Sequence, residues 1–314
     1  MKKISIIVLF LLIIGSIFVG LHDVTLSGIL SGDPLAWLLL SQTRLPRTIS
    51  LVLAGGILGV CGMIMQHMMQ NRFVSANTIG MMDSARLGIL LVMLFLPDSS
   101  ILLRSGVAFL FAYAGVLLFL HLSRWLPKKD PMILPLTGVM FGNIVGSLAS
   151  FFAYQFQLVQ NVSSWLQGNF STVMQGRYEL LYITVPVFFL LYYLAYQITI
   201  AGLGETMAKN LGVEYGRLQL VVFALVALAS SSVLIMVGNL PFLGVVVPNL
   251  VSLFYGDHLK DTLGMTAIIG SIFLLTCDII ARLVIAPYEL PVSVVVGVLG
   301  GACFLFLLIR RNVR

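Results

Sequence analysis

Residues 44–69 read RLPRTISLVLAGGILGVCGMIMQHMM. Between Arg47 and His67 no residue carries a charge. A helix crossing a bilayer needs about 20 apolar residues to match the hydrocarbon core, and this run supplies them. The pattern predicts a span over 49–69. Its glycines suit such a helix, because packing in lipid favours small residues at helix contacts. Two arginines stand at its start, Arg44 and Arg47, and methionines crowd its end at Met63, Met65, Met68 and Met69.

Runs of the same kind recur along the chain. Hydrophobic residues make up 59% of the 314 and charged residues 10%, against about 25% charged in a soluble domain. Water cannot be the main solvent of such a surface. Spans are predicted over 4–21, 49–69, 78–96, 101–122, 133–156, 178–199, 219–239, 264–285 and 291–309. A shorter piece from Phe242 to Tyr255 follows Pro241 and contains Pro248. It reads as a half-helix or re-entrant segment, which is tolerated at membrane depth where protein or a cavity surrounds it. Counted as one crossing, it brings the total to about ten. The expected fold class is all-α: a polytopic membrane helical bundle forming a single domain over 1–314. Lys2-Lys3 followed by Ile4–Leu21 has the outline of a signal peptide, but no A-x-A site follows and the run is long enough to span. It is read as a retained first helix.

The net charge of +6 reports topology rather than nucleic acid, since the basic residues sit between apolar runs. With the N-terminus inside, Lys2, Lys3, Arg72, Arg124, Lys128, Lys129, Lys209, Arg217, Lys260, Arg310, Arg311 and Arg314 fall on the cytoplasmic side. Both termini are therefore expected in the cytoplasm. Cys61, Cys277 and Cys303 lie within apolar runs with no CxxC spacing, so they read as packing residues rather than a disulfide or metal framework. The methionines near His67 spread around their helix, and adaptable packing is preferred to soft-metal ligation.

Few polar features remain to carry function. Arg44 and Arg47 precede the predicted second span on the outer side, two cations against an already positive helix N-terminus; they invite an acidic partner, or anchor the helix by snorkelling. Asp278 and Arg282 lie four apart in the ninth span, on one helix face. A charge at the bilayer centre costs at least about 2.5–3.5 kcal/mol, so the two are expected to pair. Asp83 and Arg86 form a similar i,i+3 pair early in the third span. Between two spans on the inner side, Glu205 to Leu211 reads as a short helix closed by Gly212 in a left-handed C-cap. Its mixed face would suit a groove on a soluble partner; a plain connector is the competing reading. Walker A, GxGxxG and HExxH motifs are absent from the sequence, so any ATP that drives the protein is bound by another chain, and no catalytic residue is assigned.

Six landmarks occur in order: RLPRT at 44–48, the glycine-rich span ending in Met65-Gln66, Trp165-Leu166-Gln167-Gly168, GLGETMAKNLGV at 202–213, PFLGVVVP at 241–248 and CDIIARLVIAPYELPVSVVVGVLGG at 277–301. Over nearly its full length the chain thereby resembles the FecCD/BtuC-like family of ABC importer permeases. The resemblance implies ten helices per subunit, paired around a central pathway. It implies that Arg44, Arg47 and Arg282 meet glutamates of a periplasmic or lipid-anchored substrate-binding protein, with Asp278 orienting Arg282. It also implies that Glu205, Thr206, Met207, Ala208, Leu211 and Gly212 belong to the segment that seats in the ATPase dimer, where ATP and Mg are bound. The chain departs from the family pattern at Asn249, at Ser252 and at Asp83 and Arg86, where histidine, arginine and small residues are usual. These features, with SSWLQG at 163–168 and MDSARLG at 82–88, look most like the petrobactin/catecholate and anguibactin-type permeases. A ferric siderophore is thus the implied cargo, a related second permease the implied partner, and the bacterial inner membrane the implied location. The competing function is an ion-coupled secondary transporter or channel using Asp278 or Asp83.

Overall fold

The computed structural model describes residues 2–20, 28, 31–126 and 133–312, with the backbone alone at 308 and 310–312. Leu21, Lys128, Lys129 and Arg314, used above for the first span and for orientation, lie outside the described residues, as do the side chains of Arg310 and Arg311. Among the described residues, thirteen helical elements follow in order. They are α1 (Lys2–Phe18), α2 (Pro34–Met68), α3 (Met81–Phe95), α4 (Ile101–Ser123), α5 (Ile133–Gln155), α6 (Val159–Leu166), α7 (Glu179–Tyr193), α8 (Ala195–Ala201), α9 (Glu205–Asn210), α10 (Tyr215–Val237), α11 (Leu243–Tyr255), α12 (Leu259–Leu283) and α13 (Val292–Asn312). Five of these helices are long and apolar enough to cross a membrane: α2, α4, α5, α10 and α12. The pair α7 and α8, bent by 59°, makes a sixth crossing if taken as one. Four further apolar helices, α1, α3, α11 and α13, occupy the remaining predicted spans.

Helix α2 is the axis of the bundle. In its apolar stretch 83% of the residues are buried, against 22% in α5, so α2 is central and α5 peripheral. It packs most closely on α12, and glycine is the reason. A methyl at Gly55 would lie 2.5 Å from the Gly270 carbonyl oxygen, so only glycine lets the two backbones approach this far. Methionine packing follows further along: the hydroxyl of Thr266 reaches the Met63 sulfur at 3.2 Å, and Met63, Met65 and Met68 are buried.

Helix α2 is also longer than the sequence predicts. It starts at Pro34, with the Asp33 carboxylate accepting the Leu35 N–H at 3.0 Å. Pro34 at the first position lacks only an N–H that would be unbonded anyway. Residues Leu40–Arg44 form a π turn, in which the Leu45 N–H bonds the Leu40 carbonyl. This wider turn carries the helix past Pro46, which has no N–H to give. The expectation that Arg44 and Arg47 precede the span is therefore corrected: both lie inside a continuous helical rod, because a π turn accommodates Pro46.

The half-helix expectation holds for α11. Its 13 residues rise about 20 Å, short of a hydrocarbon core of about 30 Å. It is entered through Phe242 in the left-handed region, φ 62°. Pro248 leaves the Gly244 carbonyl without its helical donor, and that carbonyl faces Gly62 of α2, where any Cβ would collide with it. Nearby, the Trp165–Gly168 landmark is a pin. The Asn239 N–H donates to the Leu166 carbonyl at 3.1 Å, and the Ser293 N–H to the Gly168 carbonyl at 3.0 Å. One loop thereby ties the end of α10 to the start of α13.

Candidate functional site

Two polar clusters stand at the two ends of α2. Toward its start, the Arg47 guanidinium donates to Asp278 Oδ1 from Nη2 at 2.8 Å and from Nε at 3.2 Å, and from Nη1 to Glu289 Oε2 at 2.8 Å. The other Asp278 oxygen accepts from Arg282 Nη2. Arg282 Nη1 donates in turn to the carbonyls of Ser16 at 3.0 Å and Val19 at 2.8 Å. Arg44 Nη1 reaches the same Val19 carbonyl at 2.5 Å.

The cluster thus joins α1, α2, α12 and the loop before α13. Asp278 is 0% exposed and Arg282 4%. Two ions taken from water need both attraction and hydrogen bonding to be tolerated; here one carboxylate serves two guanidiniums and the end of α1 supplies carbonyls, while Arg282 Nε is left without a partner. Three arginines face two carboxylates, leaving this end of the bundle net positive.

The predicted pairing of Asp278 with Arg282 is present, and Arg47 shares the carboxylate. The predicted Asp83–Arg86 pair is not: among the described residues the two form no ion pair, and the Arg86 guanidinium turns instead to Ser150 of α5 at 3.4 Å. Spacing of i,i+3 allowed the contact, but the neighbouring helix offers both side chains somewhere else to go. Two participants were not foreseen. Glu289 stands within the last landmark, but nothing in its spacing marks it as a partner of Arg47. The α1 carbonyls give no sequence signal at all.

At the other end of α2 lies the short helix α9. Its C-terminus is a Schellman motif: the Gly212 N–H bonds the Lys209 carbonyl at 3.0 Å and the Val213 N–H bonds the Ala208 carbonyl at 2.9 Å, with Gly212 at φ 80°. The predicted left-handed cap is present. Ala208 is fully buried and seats the helix, while Glu205, Thr206, Met207, Leu211 and Gly212 are exposed. Lys209 pairs with Glu205 at 2.8 Å. Met207 at 54% and Leu211 at 58% exposure form an apolar tip with a charged flank.

The end of α2 grips this element from both sides. Gln70 Nε2 donates to the Gly202 carbonyl at 3.1 Å, before α9, and the Tyr215 hydroxyl donates to the Met68 carbonyl at 3.2 Å, after it. The same stretch reaches the half-helix. Arg72 donates to Ser252 and, at 2.5 Å, to Asp257, while Asn249 Nδ2 donates to the Arg72 carbonyl at 2.9 Å. Asn249 and Ser252, the positions that depart from the family pattern, are thus the ones Arg72 engages. From Arg47 to Met68 the helix rises about 32 Å, so the arginine cluster and α9 lie at opposite ends of a membrane-length rod.

Residues 4–310 match the FecCD transport family across almost the whole chain. The chain belongs to the FecCD family. It is 45% identical over 306 residues to the petrobactin import system permease protein YclN of Bacillus subtilis, covering 98% of this chain and 97% of that one. It is 39% identical to the ferric-anguibactin transport system permease protein FatD of Vibrio anguillarum, covering 94% of each. Its fold matches a solved inward-facing conformation of a putative metal-chelate type ABC transporter, with a TM-score of 0.84, 22% identity and coverage of 99% of this chain and 100% of that one. The two permeases named here match it along nearly their whole length, so the two clusters of α2 lie within the region shared with them.

Proposed function

We propose that this chain is the membrane permease subunit of an ATP-binding-cassette importer that carries a ferric siderophore from a substrate-binding protein into the cytoplasm. Kinship over nearly the full length with import permeases for petrobactin and ferric anguibactin supports the cargo class. The observation that carries the mechanism is the single rod α2, which joins a net-positive cluster at one end to an exposed docking helix at the other.

The positive end faces the acidic lobes of the binding protein on the outer side; Arg44, Arg47 and Arg282 are buried there, so they act through the net positive field of the cluster rather than by direct pairing. Charge there sets encounter rate and register more than affinity. The α9 end seats in a groove of an ATPase chain, which binds ATP and Mg. ATP binding and hydrolysis displace α9, and the bonds from Gln70 and Tyr215 pass that displacement to α2 and to the half-helix α11. The working unit pairs this chain with a second permease, a related chain, in the bacterial inner membrane with both termini cytoplasmic.

The ion-coupled alternative loses its carrier at Asp278. That carboxylate is fully buried and bonded to two guanidiniums, so it has no vacancy for a transported ion. Uptake of radiolabelled ferric siderophores into a strain lacking the chain, with and without complementation, tests the proposal. Restored uptake of a catecholate-class complex is expected; uptake indifferent to the chain for every siderophore tried would overturn it.

A further inference from the structure

One polar feature belongs to neither cluster. Asp83 stands in the first turn of α3, where the helix N-terminus favours a carboxylate. It faces α5, and the glycines of α5 make the room: a Cβ at Gly142 would lie 2.7 Å from Asp83 Oδ2, and one at Gly146 3.3 Å from Oδ1. These glycines straddle the middle of a 23-residue helix, so Asp83 sits near half depth. Arg86 follows one turn on. Its hydrogen bonding among the described residues is one long contact to Ser150 Oγ, and its Nε has no partner.

Asp83, Arg86, Asn143, Ser147, Ser150 and Tyr154, with Phe151, line a shallow, open groove of about 600 Å³. Asn143, Ser147, Ser150 and Tyr154 recur at helical spacing and are all exposed, so they form one polar stripe on an otherwise apolar helix. Hydrocarbon against this stripe would strand two charges in lipid, the costliest place for them. The groove therefore faces away from lipid.

We infer that this groove is a cargo subsite on the wall of the aqueous path, with Arg86 binding anionic oxygens of the metal chelate and Asp83 holding the local charge in balance. The inference rests on the importer reading above. A guanidinium with unused donors matches carboxylate or catecholate oxygens in a two-pronged fashion, and the Asn143 and Ser147 side chains add neutral donors, while the Ser150 hydroxyl is committed to the Gly146 carbonyl. Because the stripe runs along α5, a chelate passing the groove exchanges one set of donors for the next.

The test uses the assembled transporter carrying Arg86→Gln or Arg86→Lys, each checked for co-purification of the ATPase. Uptake of an anionic ferric catecholate complex should fall about tenfold or more for Gln, the loss of a charge-assisted hydrogen bond, and by less for Lys, which keeps the charge but not the two-pronged geometry. Equal uptake in wild type and Arg86→Gln, or an equal collapse with Gln and Lys, would overturn the subsite. In a background lacking Cys303, Ser147→Cys should react with a water-soluble charged thiol reagent during ATP turnover, and the ferric complex should protect it. An introduced thiol that never reacts would place the groove against lipid or a second subunit and overturn the inference. If the unaltered transporter moves no ferric siderophore, the importer reading itself fails, an outcome visible before any variant is compared.

Discussion

The Asp278 carboxylate accepts two hydrogen bonds from the Arg47 guanidinium, at 2.8 and 3.2 Å, across 231 positions of sequence. With Arg282 on its other oxygen, Asp278 holds α2 and α12 in register at the end where their glycine contact leaves off. Removing one partner from a buried pair strands the other charge and costs about 3–5 kcal/mol. Asp278→Ala should lower the thermal midpoint of the detergent-solubilised protein steeply, since two guanidiniums lose their counter-ion. Replacing Asp278 and Arg47 together with Leu and Met should recover part of that loss. A midpoint unmoved by Asp278→Ala would show that the cluster does not hold the bundle.

The same pairing decides how docking can be tested. Reversing the charge of both Arg44 and Arg47 would set a new carboxylate against Asp278 and disturb the fold. Arg44→Gln is the cleaner probe, because Arg44 leans on a backbone carbonyl rather than on Asp278. Capture of the binding protein should weaken several-fold at low ionic strength and converge with wild type at high salt. Equal capture at low salt would remove Arg44 from the docking surface.

At the opposite end, Met207→Glu should cost the fold within about 0.5 kcal/mol, as exposed substitutions do, yet reduce ATPase co-purification. Gly212→Val acts through the backbone instead. A β-branched residue at φ 80° costs about 1–2 kcal/mol and should loosen the end of α9, uncoupling ATP hydrolysis from uptake. Normal uptake by both variants would exclude α9 as the coupling element.

Glycine contacts make a sharper structural prediction. Gly62→Leu would drive a side chain into the Gly244 backbone, so the protein should fail to accumulate. Gly264→Ala, also helical but with nothing within 4 Å of the added methyl, should be neutral or stabilising by about 0.5–1 kcal/mol. Equal abundance of the two variants would refute the close approach of α2 and α11.

The sequence made legible what depends on spacing along one helix. Long apolar runs marked the spans, Asp278 and Arg282 four apart gave a pair, and Gly212 after Asn210 and Leu211 gave the cap. It hid what depends on two helices meeting. Asp83 and Arg86 have pairing distance too, yet glycines of α5 let both turn toward that helix. Pro46 reads as a helix start, and only the π turn at Leu40–Arg44 shows how a rod runs through it. Glu289 and the carbonyls of Ser16 and Val19 entered the arginine cluster through tertiary packing, which no local pattern encodes.

The central claim is that ATP on a partner chain drives a ferric siderophore through this permease. Proteoliposomes holding the permease pair, its ATPase and its binding protein, loaded with ATP on the ATPase side, measure it directly. Accumulation of radiolabelled iron should require hydrolysable ATP and persist when a protonophore collapses the proton gradient. Uptake that survives without ATP and stops with the protonophore would contradict the account and return the chain to ion-coupled transport.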